Sequence, residues 1–389
     1  MQVDRDVTVY LNKAKQSAPA ELREFFDQFE DLYDRKLWHQ LTLVLNKFVR
    51  LPSATPFLVP LYDEFVSEWQ KRMNQLSLVL FVTTASRTIK DPTTSLAFLN
   101  RQVERLKDQS EDRDSYVLAS MEAAHIKLVS ADFEGCKASI DESEKILSDL
   151  PVVDTVINAS FYRVSADYYK AKALYPQFYH NALLFLSSTS LEEISTAEKI
   201  ERAYDLSLSA LLGDGLYNFG ELLMHPILDS LTSSPSAWLR NLLFAFNSGD
   251  NDTFEKISKS PEFLKMPLLV SSIAFLSQKL CLMSLMESVF RRSKEERGRL
   301  AFTTLAKDTR VAVHEVEHLV MKALSLGLIR GSIDEIDATV SVSWVQPRVL
   351  EMGQIKTINE KLAGWSDNVR EKVVSLERDG AVEISILAE

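Results

Sequence analysis

FTTLAKDTRVAVHEVEHLVMKALSLGLIRGSIDEIDATVSVSW, residues 302–344, is the stretch in which a helical chain briefly becomes something else. Residues 302–307 and 311–326 carry apolar side chains at helical spacing, on either side of the turn Asp308-Thr309-Arg310. Gly327 stops the second helix, because glycine readily takes the left-handed backbone that closes one. Beyond it Val340, Val342 and Trp344 alternate with Ser341 and Ser343. A period of two marks a strand with one buried face. Two helices followed by a two-stranded ribbon read as a winged helix, expected over residues 291–350.

Working back from this stretch, residues 1–290 read as helices almost throughout. Only 11 Gly and 12 Pro in 389 residues disfavour an all-β chain, which needs frequent turns. An aromatic residue recurs in an acidic or Gly-containing turn ahead of an amphipathic helix, as in DRKLWHQLTLVLNKF (34–48), ADFEGCKASIDESEKIL (131–147) and SGDNDTFEKI (248–257). Phe133, Tyr179, Tyr217 and Phe254 stand 46, 38 and 37 residues apart. Such periods suit stacked helical hairpins, each burying its face on its neighbours. The turn in DFEGCKA is similar to the tetratricopeptide turn. The expected fold class is therefore mostly α: a degenerate, TPR-like α-solenoid, then a winged helix, then a C-terminal helix. Breaks are expected at LPSATPFLVP (51–60), KDPTTS (90–95), QSEDRDS (109–115) and LTSSPSAW (231–238), with Ser233 to Pro235 as turn and cap.

Working forward, residues 351–389 form a third expected unit. Ile355, Ile358, Leu362, Trp365, Val369 and Leu376 repeat at spacings of 3, 4, 3, 4 and 7, with polar residues between them. A stripe this narrow suits a helix-bundle seam rather than a helix lying on its own domain. Gly364 within it costs about 1 kcal/mol of helix propensity relative to Ala. Packing on partner helices is expected to supply that deficit. Val340, Val342 and Trp344 of the wing join these residues as the candidate protein interface, through a strand edge open to a neighbour's sheet.

Composition excludes several functions. The net charge of -11 opposes general affinity for nucleic acid or anionic membrane. Residues 311–341 carry the acids Glu315, Glu317, Asp334, Glu335 and Asp337 against the bases Lys322 and Arg330. A reading helix so charged would repel phosphates, and the basic run Arg291-Arg292-Ser293-Lys294 reads as a connector or protein contact. Cys136 and Cys281 lie far apart and read as reduced thiols. The start, MQVDRDVTVY, lacks a signal peptide's apolar core, and the longest apolar run, LSLVLFV (76–82), is short for a membrane span. A soluble intracellular protein is expected.

Catalytic motifs are sparse. His314-Glu315-Val316-Glu317-His318 is a literal H-E-x-x-H, the spacing by which two histidines bind zinc and a glutamate activates its water. Here the histidines fall on the flank of an amphipathic helix, and no histidine follows to complete the metal. His314, Glu315 and His318 therefore read as a chance match, with no metal, cofactor or catalytic residue expected. Gly213-Asp214-Gly215 fits a helix end and tight turn, not a phosphate loop. Tyr168 and Tyr169 suit helix packing better than a binding platform.

Solenoid, winged helix and terminal helix together are the plan of PCI-domain proteins. RAYDLSLSALLGDGLYNFGELLMHPIL (202–228), QKLCLMSLMESVF (278–290), VEHLVMKALSLGLIRGSIDE (316–335) and VSVSWVQPRVL (340–350) resemble the regulatory subunit 13 family of the 26S proteasome lid. FFDQFEDLYDRKLWHQLT (25–42), LYDEFV (61–66) and MNQLS (73–77) extend the resemblance over nearly the whole chain. It implies a PCI module whose helical part starts near residue 160. It implies a non-catalytic scaffold in ubiquitin-dependent degradation, in cytoplasm and nucleus. It implies as partners the other PCI lid subunits, which adjoin through their winged helices and gather their terminal helices into one bundle. The lid deubiquitinase module and the intrinsic ubiquitin receptor are implied neighbours. PCI scaffolds of the COP9 signalosome or a translation initiation factor are the nearest alternative, and a nucleic-acid-binding winged helix a remote one.

Overall fold

The computed structural model describes residues 7–107, 112–232, 235–346 and 352–386. The chain forms two compact units, residues 1–202 and 203–389.

The first unit is a stack of helices. Pro92–Lys107 packs on Arg113–Val129, which packs on Phe133–Asp149, and Thr155–Ala171 packs on Tyr175–Ser188 and back on Arg113–Val129. Its amino-terminal core is aromatic. Phe26, Phe29, Phe48, Phe65 and Trp69 are buried, with Phe29 and Phe48 edge to face at 5.5 Å and Trp38 stacked on Trp69 at 6.1 Å. Each buried Phe contributes roughly 1.5–3 kcal/mol by leaving water. A second cluster, around Met121, Cys136, Ile140 and Val164, serves the later helices.

The recurring turn has a common physical form. Lys36, Ala131, Ala173 and Gly249 each follow a helix with φ between 55° and 69°. At Ala131 the next amide, Asp132 N–H, reaches back to Lys127 O at 2.9 Å while Ala131 N–H bonds Leu128 O at 3.0 Å. Leu174 to Tyr169 O and Asp250 to Ala245 O repeat the longer bond at 3.0 and 2.9 Å. These are left-handed helix ends whose paired bonds satisfy the last carbonyls. The next helix follows at once: Asp132 accepts from Gly135 N–H at 3.0 Å, and Asp250 accepts from Asp252 and Thr253 N–H at 3.0 and 3.2 Å. The sequence rhythm is this end-and-restart.

Proline and glycine act where expected elsewhere. The helix before LPSATPFLVP stops at Val49, and Pro52–Phe57 becomes a 3-10 turn. Pro92 opens a helix. The next break falls partly outside the described residues (108–111), as do Ser233 and Ser234, and the following helix starts at Ala237.

The second unit is built around the helix Ile273–Arg291. It is long and apolar enough to cross a membrane by length and composition, although Gln278, Lys279 and Glu287 interrupt it, so it shows as no unbroken apolar run. Here it is a core helix, burying Leu276, Leu280, Met283, Leu285, Met286 and Val289. Helices Phe302–Thr309 and Val313–Ser325 follow, linked through Arg310 in a left-handed conformation. The sheet holds one strand more than the ribbon expected. β1 (Leu300–Ala301), β2 (Ile329–Asp334) and β3 (Thr339–Val345) are antiparallel in the order β1-β3-β2. β1 is too short for a periodicity to reveal. A bulge at Arg330/Gly331 brings the chains close: a Cβ on Gly331 would meet Ser341 O at 2.0 Å. The last helix runs Met352–Ile386, longer than its stripe suggested.

Candidate protein interface

In the winged helix β3 is the central strand. It pairs with β2 from Thr339 to Val345 and with β1 only at Thr339 and Val340. Val340 and Val342 point into the core and are buried, while Trp344 is exposed and lies under the Arg330 guanidinium at 4.7 Å. This corrects the expected route of contact. The side chains of Val340 and Val342 face their own domain, and the main chain of Val340 is paired on both sides. Among the described residues, strand edges without a strand partner are the outer sides of β2 and of the two-residue β1, and the stretch of β3 beyond the reach of β1. The wing tip adds Ile336, 98% exposed in the turn closed by Ala338 N–H to Glu335 O. It stands apart from the alternating strand, so no pattern singled it out.

The basic run before the winged helix is occupied internally. Arg292 pairs with Asp308 at 2.6 Å, Arg299 with Asp337 at 2.8 Å, and Arg297 donates to Phe290 O and Arg292 O at 2.7 and 2.9 Å. Ser293 and Glu296 complete a capping box around the same turn. These residues fasten helix and wing together.

The terminal helix is the opposite case. Every described side chain from Ile355 to Ser375 is exposed. Ile355, Ile358, Leu362, Trp365 and Val369 form the stripe, with Trp365 68% exposed, and Val373 and Val374 extend it. Leu376 lies in the helix, but its side chain is outside the described residues. The stripe buries nothing against the described residues of its own chain.

The groups with chemical potential are placed as follows. His314, Glu315 and His318 are exposed, yet they line a groove of about 550 Å³ with Gln278 and Cys281, rather than lying away from any cleft. Among the described residues no three His, Cys, Asp or Glu side chains gather to hold a metal. Burial pushes the Cys281 thiol up, away from the reactive thiolate. Lys279 escaped the sequence reading. It is 2% exposed on the core helix, and its ammonium donates to Ala210 O, Leu211 O and Gly213 O at 2.8, 3.1 and 2.7 Å. Tyr217, Phe219 and Phe275 present their rings 5.2–5.7 Å away. Burial lowers its pKa to about 7, a value suited to a nucleophile. Enclosure by carbonyls and rings denies it a substrate and makes it a cap on the carboxyl end of the helix Thr196–Leu212, at the Gly213-Asp214-Gly215 turn.

Comparison with known proteins agrees with this architecture. A family model described as PSD13 N-terminal repeats matches residues 25–243, and one described as PCI domain matches residues 250–344. The probable 26S proteasome regulatory subunit rpn9 of Schizosaccharomyces pombe is 41% identical over 93% of this chain and 93% of its own. The 26S proteasome non-ATPase regulatory subunit 13 homolog B of Arabidopsis thaliana is 38% identical over 95% of this chain and 97% of its own. The 26S proteasome regulatory subunit RPN9 of Saccharomyces cerevisiae is 36% identical over 97% and 98%. Similarity at this level along nearly the full length, with both family models in the same order as the two parts of the fold, means that the chain belongs to the family of 26S proteasome non-ATPase regulatory subunit 13, or Rpn9.

Proposed function

We propose that this chain is a non-catalytic structural subunit of the 26S proteasome regulatory particle lid, acting in ubiquitin-dependent degradation by binding and positioning its neighbours. The observation that carries the proposal is the terminal helix, whose apolar stripe from Ile355 to Val374 has no counterpart among the described residues of its own chain. Burying it against sibling helices would gain about 25 cal/mol per Å² removed from water. Trp344, Ile336 and the free main chain of β2 and β3 are the proposed lateral contact, by which a neighbouring PCI domain extends the sheet. The family match along nearly the whole chain favours the lid over the signalosome or an initiation factor. The other PCI lid subunits are the proposed direct partners, with the deubiquitinase module and the ubiquitin receptor nearby, in cytoplasm and nucleus. Absence of catalysis is supported by a raised thiol at Cys281 and a sealed Lys279. Nucleic-acid binding is disfavoured because Arg292 and Arg299 already pair within the unit.

The test is Leu362→Asp with Trp365→Asp, co-expressed with the remaining lid subunits. The double variant should be lost from the assembled lid on a native gel while remaining soluble as a free chain. Incorporation equal to the unmodified chain would remove the terminal helix from the account.

A further inference from the structure

In the first unit, a pocket of about 330 Å³ opens where the Gln75–Ser86 helix ends and the Pro92–Lys107 helix begins, walled by the helices Arg113–Val129 and Thr155–Ala171. Glu122 lies at its floor, nearly buried. Its carboxylate accepts from Arg163 Nη2 at 2.6 Å and from Ser160 Oγ at 3.0 Å. One guanidinium and one hydroxyl thus already compensate the buried charge. Arg87 reaches the same carboxylate only at 3.4 Å, and its side chain is 58% exposed. Lys90 stands exposed at the mouth and, among the described residues, forms no ion pair.

The other charged groups around the pocket do not cancel this excess. His125 lines a wall, and burial lowers its pKa, so the imidazole is neutral. Asp167, which faces His125 and Arg163, is half-buried and does not line the pocket. Asp91, beside Lys90 in sequence, keeps its charge at the start of its own helix, where it accepts from the Thr93 and Thr94 hydroxyls, and it does not line the pocket. Within the linings Glu122 is held by Arg163 and Glu198 by Arg202, which leaves Arg87 and Lys90 in excess on a chain of net charge -11. Beside them the lip is aliphatic, formed by Ile89, Ile126 and the exposed Val129.

A second cavity, of about 580 Å³, shares Arg87, Glu122 and Arg163 with the first and continues along the Thr155–Ala171 helix. Its wall is rich in hydroxyls, including Thr84, Thr155, Ser188 and Ser190. Thr83 Oγ1, Thr189 Oγ1 and Arg163 Nε, at the same wall, are buried without a hydrogen-bond partner. As placed these atoms are shielded, so the polar contacts a ligand could reach are the exposed hydroxyls of Thr155 and Ser190. Cations, an aliphatic lip and hydroxyls along the continuation are what an extended acidic peptide requires: a site for carboxylate, a site for an adjacent apolar side chain, and partners for main-chain groups.

We propose that this groove binds an acidic segment of a partner protein, with a Glu or Asp carboxylate seated between Arg87 and Lys90 and a neighbouring aliphatic side chain on Ile89, Ile126 and Val129. The site does not depend on the interface of the second unit. Nucleic acid fits it poorly, since no aromatic platform stands at the mouth to stack a base.

The experiment is fluorescence anisotropy of the full chain with a dye-labelled Glu-Leu-Glu-Glu-Leu-Glu peptide. Saturable binding is expected that weakens with salt. The double variant Arg87→Glu with Lys90→Glu should weaken it at least about tenfold. The control Lys71→Glu with Lys145→Glu, an equal change in charge at exposed sites elsewhere, should leave it within about twofold. Absence of saturable binding, equal loss in the control variant, or equal affinity for Lys-Leu-Lys-Lys-Leu-Lys would overturn the proposal. So would displacement of the peptide by a single-stranded oligonucleotide with the same dependence on Arg87, which would assign the groove to phosphate.

Discussion

Two long helices of the second unit treat their apolar side chains in opposite ways. Ile273–Arg291 is apolar on most sides and is enclosed by its own unit, whereas Met352–Ile386 confines its apolar residues to a stripe and exposes all of them that are described. Hydrophobic content alone therefore does not say whether a helix is core or interface; the width of the apolar arc does. Enclosure also has a consequence. The core helix takes Lys279 inside with it, and a buried ammonium is tolerable only where carbonyls and ring faces replace water.

The sharpest way to break this contrast is to remove the ammonium. Lys279→Ala strips a donor from Ala210 O, Leu211 O and Gly213 O and leaves a cavity along the side-chain stem. A loss of about 3–5 kcal/mol is expected in the second unit. Urea unfolding followed by hydrogen exchange, read separately over residues 203–290 and 7–202, measures it. A loss below about 1 kcal/mol would mean that Lys279 is incidental to the enclosure.

The same residue gives a pH dependence of known sign. Burial holds Lys279 near 7, against about 10.4 for an unfolded lysine. Between those values the unfolded chain binds more protons at this site than the folded one, so its contribution to stability rises as pH increases. Below about pH 7 both states are protonated and the contribution is flat at its minimum. The difference in unfolding free energy between the unmodified chain and Lys279→Met should grow in favour of the former from pH 7 to 10. A difference that stays flat would show that the carbonyls fully compensate burial of the charge.

A smaller effect is expected where the core helix meets its neighbour. Gly249 ends the helix Ala237–Ser248 at φ 69°, and a Cβ there would stand 2.6 Å from Ser284 Cα on Ile273–Arg291. Gly249→Ala combines left-handed strain with a clash against backbone, and about 2 kcal/mol should be lost from the second unit alone. Unchanged denaturation midpoints would show that the two helices part without cost.

How far the sequence revealed these features follows from how local each one is. The helix pair 302–326, the end at Gly327 and the strand around Val340 and Val342 are written as periodicity and were legible. β1 was not, because two residues have no period. Its pairing makes β3 central and turns Val340 from a proposed edge contact into core. The aromatic rhythm was visible, but its cause, a left-handed residue at Lys36, Ala131 or Ala173, was hidden because these are not glycines. Lys279 reads as one polar residue in an apolar run, since the carbonyls it meets lie nearly 70 residues away. Arg87, Glu122 and Arg163 likewise converge only through the stacking of helices. Of the stripe on the last helix, the pattern yielded Ile355 to Val369 and overlooked Val373 and Val374, which broke the counted spacing.

The smallest expected effect sharpens the comparison most. In the isolated chain, Leu362→Asp with Trp365→Asp touches side chains that are already in water. The folded state therefore loses little buried apolar area. What remains is helix propensity, by which Asp is less favourable than Leu by a few tenths of a kcal/mol per site. Unfolding of both units should shift by less than about 0.5 kcal/mol, as for ordinary surface substitutions. Thermal unfolding by circular dichroism and hydrogen exchange over residues 203–346 measure this on the free chain. A destabilisation above about 1 kcal/mol would mean that the helix rests on its own unit, and its stripe would then be core like that of Ile273–Arg291. Stability unchanged, with incorporation into the lid lost, is the result only an interface helix can give, because the free energy that the two substitutions destroy then exists only in the presence of the partners.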